Sequence, residues 1–430
     1  MTSFKIIFFS DENTNDIHNV FIDKKLFYIQ INLFNINMYN LDKEINKIND
    51  LINFNNKIKM IKIIFENKIN SQLTNIIISK LNNVLYSYVK MIKNELLSFS
   101  LETKKINNLN IESINLMNEL ILYKNIVMDP NKTPDTYLEY IKSRIPNNYD
   151  IIVNNLDKAP LTKAVGAGSL YNSYFIHIKP KIEDNTKKTI FLIGKSITYD
   201  SGGLNLKSSH MCDMKTDMTG SALLVSVLNL LAFNKLDTNN IHLLIPIAEN
   251  MIGNTATRPG QVIKSYNSKT VEITDIDAEG RLCMADCLEY INIDLLNDKD
   301  PNNCLIIDVA TLTGNARLIT AGIASISMCN QKAENYKDQL IKISEVTGEY
   351  LEYIKLRPEY LDFLKSQVAD IKNLNLDIRA GGCIIAGTFL HYFAGDIVPW
   401  IHLDIAPSSY VKERAVSYGI NLLYEFIKQL

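Results

Sequence analysis

Three short segments concentrate side chains able to do chemistry. The first, Gly194 to Lys207, holds Lys195, Asp200 and Lys207 around a Gly202-Gly203 pair. The second, Met211 to Gly220, holds Asp213, Lys215 and Asp217. The third, Thr274 to Leu282, reads Thr-Asp-Ile-Asp-Ala-Glu-Gly-Arg-Leu and holds Asp275, Asp277, Glu279 and Arg281. In an extended segment, residues two apart point the same way, so Asp277 and Glu279 would stand side by side. Like charges so placed repel unless a cation lies between them. A divalent ion, or a pair of them, suits such carboxylates, and Asp200 and Asp217 could complete the cage from the other two segments.

Taken singly, each feature has an ordinary explanation. An Asp-x-Glu pair is common as a solvated pair or as charge at a helix N-terminus. A lysine after glycine fits an exposed loop. Gly194-Lys195-Ser196 fails as a phosphate loop, because Thr189 stands where the first glycine of that frame belongs. No HExxH pair and no Gly-x-Ser-x-Gly elbow occurs. The residues by themselves therefore point to a carboxylate metal site on an α/β sheet.

The elements around these segments support that placement. Tyr174–Ile178, Thr189–Ile193, His242–Ile247 and Cys304–Val309 read as strands, and Ala222–Phe233 and Leu282–Ile291 as helices. Their alternation predicts a mostly parallel central sheet flanked by helices, over residues 149–430, with chemistry in the loops after strand ends. Residues 1–120 read as a smaller N-terminal α/β domain. Its strands are expected at Phe4–Phe9, Leu26–Phe34 and Met60–Phe65, and an amphipathic helix over Ser71–Leu97 carries Ile77, Leu81, Leu85, Val89 and Ile92 at three- and four-residue spacings. Residues 121–148 form a linker segment and helix, with Asp135 or Thr136 as its cap.

Composition bounds the rest. The 430 residues are 47% hydrophobic, enough for large cores, and 45 basic against 47 acidic residues give a net charge of −2. A chain that binds nucleic acid over its whole surface would be more basic. The Lys57–Lys62 stretch reads as a solvated strand edge. The first fifteen residues offer only Ile6–Phe9 as an apolar run, short of the ~7–15 of a secretory signal. No window reaches the ~18 consecutive apolar residues of a membrane span, so a cytoplasmic protein without a membrane partner is expected. The six cysteines form no CxxC pair, and Cys283 and Cys287 read as packing thiols.

The three segments together resemble the leucyl aminopeptidase (cytosol aminopeptidase) family of two-metal exopeptidases. Asp275 to Leu282 is similar to that family's Asn-Thr-Asp-Ala-Glu-Gly-Arg-Leu signature, and Gly194 to Gly203 to its Gly-Lys-Gly-Ile-Thr-Phe-Asp-Ser-Gly-Gly stretch. Glu249-Asn250-Met251, Arg258-Pro259-Gly260, Ala310 to Gly314, Arg379 to Gly382 and Trp400 to Ala406 follow as further landmarks in the family's order. The resemblance runs from about residue 120 to 430 and implies a metal-dependent aminopeptidase that removes an N-terminal, preferably apolar, residue from peptides.

Carried over position by position, the resemblance implies that Lys195, Asp200, Asp217, Asp277 and Glu279 bind two divalent ions, zinc or manganese ahead of magnesium or cobalt. Lys207 would polarise the scissile carbonyl, and Arg281 would hold a bicarbonate-like anion as proton shuttle. Met214, Thr311, Gly314 and Ala406 would form the pocket for the first side chain, with the Leu312 carbonyl beside the substrate. The family implies a homohexamer. Asp275, Ile276, Ser196, Tyr199 and Thr219 depart from the family pattern, but none is a carried-over ligand. Two rival readings, a DNA-binding protein and a two-metal phosphoesterase, are disfavoured by the charge balance and by a lysine among the ligands.

Overall fold

The computed structural model describes residues 2–9, 18–23, 26–32, 41, 43, 45, 58–66, 71–91, 98–104 and 111–430, apart from 185, 378–379 and 412–413. The chain divides into two compact units, Met1–Leu122 and Tyr123–Leu430.

The first unit carries five strands, β1 (Thr2–Phe9), β2 (His18–Asp23), β3 (Leu26–Asn32), β4 (Ile58–Glu66) and β5 (Ser98–Lys104). They form one sheet in the order β2-β3-β1-β4-β5, in which only β2 runs antiparallel to its neighbour. The expected strands are present, although 33–34 lie outside the described residues. Helix α1 spans Ser71–Met91, and the end of the expected helix, including Ile92, also lies outside them. Ile77 and Leu81, one turn apart, are buried as the apolar spacing requires. Lys59 and Lys62 sit on β4, which lies between β1 and β5, so they do not line a sheet edge as expected; Lys57 lies outside the described residues. Helix α2 (Ile111–Met128) leads into the second unit.

In the second unit, α3 (Pro134–Arg144) is capped by Thr133, not by Asp135 or Thr136. Thr133 accepts from the Thr136 amide at 3.2 Å, and Thr136 Oγ1 accepts from the Thr133 amide at 2.8 Å. Pro134 fixes the first helical φ, which puts the cap at Thr133, two residues ahead of Asp135.

A nine-stranded sheet follows, built from β6 (Tyr149–Asn154), β7 (Tyr174–Pro180), β8 (Thr189–Gly194), β9 (Ser196–Asp200), β10 (Ile241–Asn250), β13 (Cys304–Ala310), β14 (Ser325–Cys329), β15 (Leu351–Tyr353) and β17 (Trp400–Asp404). Its centre, β17-β13-β8-β10, is parallel throughout, and antiparallel β7 and β14 flank it. A three-stranded sheet joins β11 (Gln261–Lys264), β12 (Thr270–Ile273) and β16 (Ile371–Lys372).

Strand β8 is buried at every position, as a central parallel strand covered on both faces must be. Phe191 and Ile193 point into a core shared with α6 (Gly280–Tyr290), beyond α4 (Pro160–Val165) and α5 (Thr219–Phe233) in the chain. Full burial of a phenylalanine such as Phe191 contributes roughly 1.5–3 kcal/mol. Gly194 faces the other way, where a Cβ would stand 2.5 Å from Ser221 Cα, so only glycine lets α5 pack this close to β8.

The helical run 211–233 is apolar and long enough to cross a membrane, but 89% of its apolar window is buried inside the fold. Cys283 and Cys287 are likewise buried on α6, as packing thiols are.

Candidate metal and active site

The parallel strands β8, β10, β13 and β17 end at one edge of the sheet, and the chemical segments continue from those ends. Lys195 follows β8 directly. Its amide donates to Val309 O at 3.0 Å and its carbonyl accepts from Ser221 N at 3.0 Å, so its backbone is clamped between β13 and the start of α5. Its side chain reaches Asp217 Oδ2 and Glu279 Oε1, each at 2.8 Å, and donates to Thr311 O at 3.0 Å. Gly280 leaves the channel for it, since a Cβ there would fall 2.7 Å from Lys195 Nζ.

Asp200 closes β9 opposite Asn250, the last residue of β10. Asn250 Nδ2 donates to Asp200 Oδ1 at 2.8 Å and to Ile276 O at 3.0 Å, tying the first segment to the third. Gly202, at φ +83°, turns its amide onto Asp200 Oδ1 at 2.9 Å. Lys207 Nζ lies 2.6 Å from Asp200 Oδ2 and 2.5 Å from Asp277 Oδ1.

The five expected ligands thus converge, and together with Lys207 they make two cations interleaved with four carboxylates. One oxygen from each of Asp200, Asp217 and Glu279 lies within 4.8 Å of the others, and all three residues are buried. Asp277 stands at the mouth, its side chain 35% exposed. Glu279 Oε2 is buried without any hydrogen-bond partner. A buried carboxylate oxygen left unpaired is costly, and three carboxylates this close could hold a divalent cation.

The charges shift accordingly. Burial, reinforced by Glu279, raises Asp200, and burial raises Asp217 well above the usual carboxylate range. Burial together with Asp200 and Glu279 pushes Asp277 up to about 7 against the pull of Lys207. Burial also disfavours the Glu279 anion, but Lys195 and Lys207 outweigh it and hold that carboxyl low. Burial opposes the Lys195 ammonium, yet Asp217, Glu279 and Asp200 hold it protonated.

Arg281 opens α6 beneath this cluster. Its Nη1 donates to Asn373 O at 2.8 Å, while its buried Nε has no acceptor. Burial lowers its pKa to about 10, which leaves it charged near neutrality. Thr311 Oγ1 donates to Asp217 Oδ1 at 2.7 Å, so the loop after β13 is fastened to the ligand cluster. Met214 sits on the short helical turn Met211–Thr216, and its carbonyl accepts from Asp217 N at 3.3 Å. Leu312 and Ala406 meet at Asp404, whose Oδ1 accepts from their amides at 3.1 and 3.2 Å. Gly314 lies further out on the loop, with open space where a side chain would be.

One local expectation fails. Asp277 and Glu279 are not neighbours on an extended strand, because β12 ends at Ile273 and the segment turns. Asp275 Oδ1 accepts from Asp277 N at 2.8 Å, which makes an Asx turn and sends Asp277 to Lys207 while Glu279 faces Lys195. The Asp275 departure preserves that bond, which an asparagine oxygen makes equally well, and nothing in the structure explains the added charge. Ile276 is buried in the core, so its departure trades a hydroxyl for packing. Ser196 accepts from Ser221 Oγ at 3.1 Å inside a buried hydroxyl chain that reaches Tyr137.

Three positioning residues were not singled out by residue type. Asn250 and Asp404 lie inside the landmark motifs, at the ends of β10 and β17, which was their one available signal. Asn373 had none: its Oδ1 accepts from Thr274 N at 2.9 Å and Asp275 N at 3.3 Å, holding the third segment from 98 residues away. Arg379, in another motif, lies outside the described residues.

Against this geometry, the catalytic-domain model of the cytosol aminopeptidase family matches residues 124–424, which contain every side chain of the cluster. The chain belongs to the cytosol aminopeptidase family. Curated relatives agree. A protein of Clostridium tetani named probable cytosol aminopeptidase is 35% identical over 335 residues, covering 75% of this chain and 67% of that protein. Same-named proteins of Rickettsia peacockii and Chlorobium limicola are 35% identical over 349 residues and 38% identical over 272, covering 77% and 62% of this chain and 67% and 52% of theirs. The chain thus spans about two thirds or less of the length of these relatives. Family membership makes it a peptide hydrolase of the leucyl aminopeptidase type, and the acidic cluster is where a metal-dependent member would bind its metal.

Proposed function

We propose that this aminopeptidase removes an N-terminal residue, preferably apolar, from peptides with two divalent ions held by Lys195, Asp200, Asp217, Asp277 and Glu279. The observation that carries the reading is the buried triad of Asp200, Asp217 and Glu279 with its unpaired Glu279 oxygen. Mixed oxygen and amine donors suit zinc or manganese, with magnesium and cobalt also compatible. Such ions would supply Lewis acidity and a water acidified to near neutral pH.

The chain's own groups do the rest. Lys195 would serve as a ligand only as the neutral amine, so metal loading should expel the proton that the carboxylates now hold. Lys207, nearer the mouth than Lys195, would aim its ammonium at the scissile carbonyl oxygen and stabilise the oxyanion. The buried, acceptor-free Nε–H of Arg281 fits a bicarbonate-like anion, which would take and return the proton of the attacking water. Met214, Thr311, Gly314 and Ala406 would receive the first side chain, and the Leu312 carbonyl would face the substrate backbone. The working form would be a cytoplasmic homohexamer.

Hydrolysis of a leucyl anilide by metal-free protein supplied with Mn²⁺ or Zn²⁺ tests the activity. Glu279→Gln should abolish turnover without lowering the melting temperature. No turnover with any metal or residue, or full turnover in Glu279→Gln, would overturn the reading.

A further inference from the structure

The other end of β10 borders a cavity of about 360 Å³, within the ~300–1,000 Å³ common for ligand sites. His242 is the second residue of that strand and Asn250 the last, so the cavity lies roughly 26 Å from the catalytic edge. His177 and His242 line it, each 2% exposed, with His177 Nε2 and His242 Nδ1 3.0 Å apart. Burial keeps both rings neutral near pH 7. His242 Nε2 is buried without a hydrogen bond, and the nearest anion, Glu183 Oε1, is 3.6 Å away. The tautomer that suits that anion lets His242 Nδ1 accept from His177 and turns the buried Nε2–H toward Glu183.

The remaining charges fall into two classes. Glu183 is paired with Lys299 at 2.7 Å, and Asp294 with Lys158 at 2.5 Å. Lys179 and Asp298 line the same cavity, and among the described residues neither has an ion-pair partner. Ile152 and Leu295 add an apolar wall. A simple anion would satisfy Lys179 but crowd Asp298, and a simple cation would do the reverse. A small zwitterion with an apolar side chain satisfies both and covers the wall.

We infer that this cavity is a second small-molecule site for a free α-amino acid, its carboxylate on Lys179 and its ammonium on Asp298. Free amino acids are what an aminopeptidase releases, so the site places a product sensor away from the metal cluster. The geometry does not depend on the catalytic assignment.

Equilibrium dialysis of radiolabelled L-leucine against the full-length, metal-loaded protein tests it without using turnover. One equivalent per chain should bind in Glu279→Gln as in the parent. Lys179→Met and Asp298→Asn should each weaken that equivalent at least tenfold while leaving the melting temperature and leucyl anilide turnover unchanged. Isovalerate and isoamylamine, each lacking one of the two charges, should compete at least tenfold less well. The inference is overturned if no leucine remains bound in Glu279→Gln, if both cavity variants bind as the parent does, or if either single-charge analogue competes equally. A silent Glu279→Gln enzyme that still binds leucine supports the site whatever becomes of the catalytic reading.

Discussion

Gly280 and Lys195 are fitted to each other: a Cβ on Gly280 would come within 2.6 Å of Lys195 Cε and 2.7 Å of its Nζ. The glycine that opens α6 is therefore a requirement of the ammonium between Asp217 and Glu279. The obstructed atoms are the far end of a flexible side chain, so the lysine can swing away at little cost to the fold. Gly280→Ala should keep its melting temperature, because alanine is also the better helix former. Activity should fall ~10–100-fold, as when a metal ligand loses its support. Thermal melts and steady-state kinetics check both halves; an unstable variant or an active one would contradict the assignment.

Metal should stabilise the fold through the same cluster. Ions that bind only the native state add about 2.7 kcal/mol at a hundredfold excess over Kd. Adding Zn²⁺ or Mn²⁺ to metal-free protein should raise the melting temperature, and Asp200→Asn or Glu279→Gln should blunt that rise. In weakly buffered solution the same titration should release protons, since Lys195 starts protonated. A parent melting curve unmoved by every metal would count against the site.

Asp404 joins the two loops that the proposed function assigns to the substrate. Its Oδ1 takes the Leu312 and Ala406 amides, and its Oδ2 takes Thr313 Oγ1 at 2.6 Å. Asp404→Ala leaves those donors without their charged acceptor, a loss of about 1–3 kcal/mol. Its melting temperature should drop and its KM for a leucyl substrate should rise. Asp404→Asn, which keeps Oδ1, should recover most of the stability. Equal behaviour of the two variants would refute the clamp.

Acid should weaken the second unit through His177. Burial beside His242 pushes its pKa down to about 3, against an unfolded value near 6.5. The unfolded chain therefore binds the extra proton first, and stability present above pH 6.5 is lost as pH falls toward 3. Buried Asp286, raised to about 8, acts in the opposite sense, weakening the fold as pH rises between about 4 and 8. The informative quantity is thus a difference. Denaturant midpoints from pH 7 to pH 4 should fall less in His177→Gln than in the parent, and parallel curves would rule the histidine out.

Asp275→Asn should be silent in activity and stability, whereas Asp275→Ala should lose the Asx turn and with it the Asp277–Lys207 pair. Turnover of both variants, measured side by side, separates a turn-forming role from a charge role.

Residue types and order along the chain determined the parallel α/β sheet, the loops at its strand ends and the identity of the five clustered side chains. These follow from local periodicity and from motifs read within one segment. Tertiary structure alone decided which partner each side chain faces. Asp277 and Glu279 looked like a strand pair, but an Asx turn and the start of α6 sent them to different lysines. Asn373 acts through backbone amides that its own segment does not contain, and Asp404 reaches the Leu312 amide 92 residues away, so spacing could not reveal those contacts. Charge pairing is set by distances between strands that the sheet brings together, and those distances exist only once Val309, Asn250 and Ser221 have locked the loops in place.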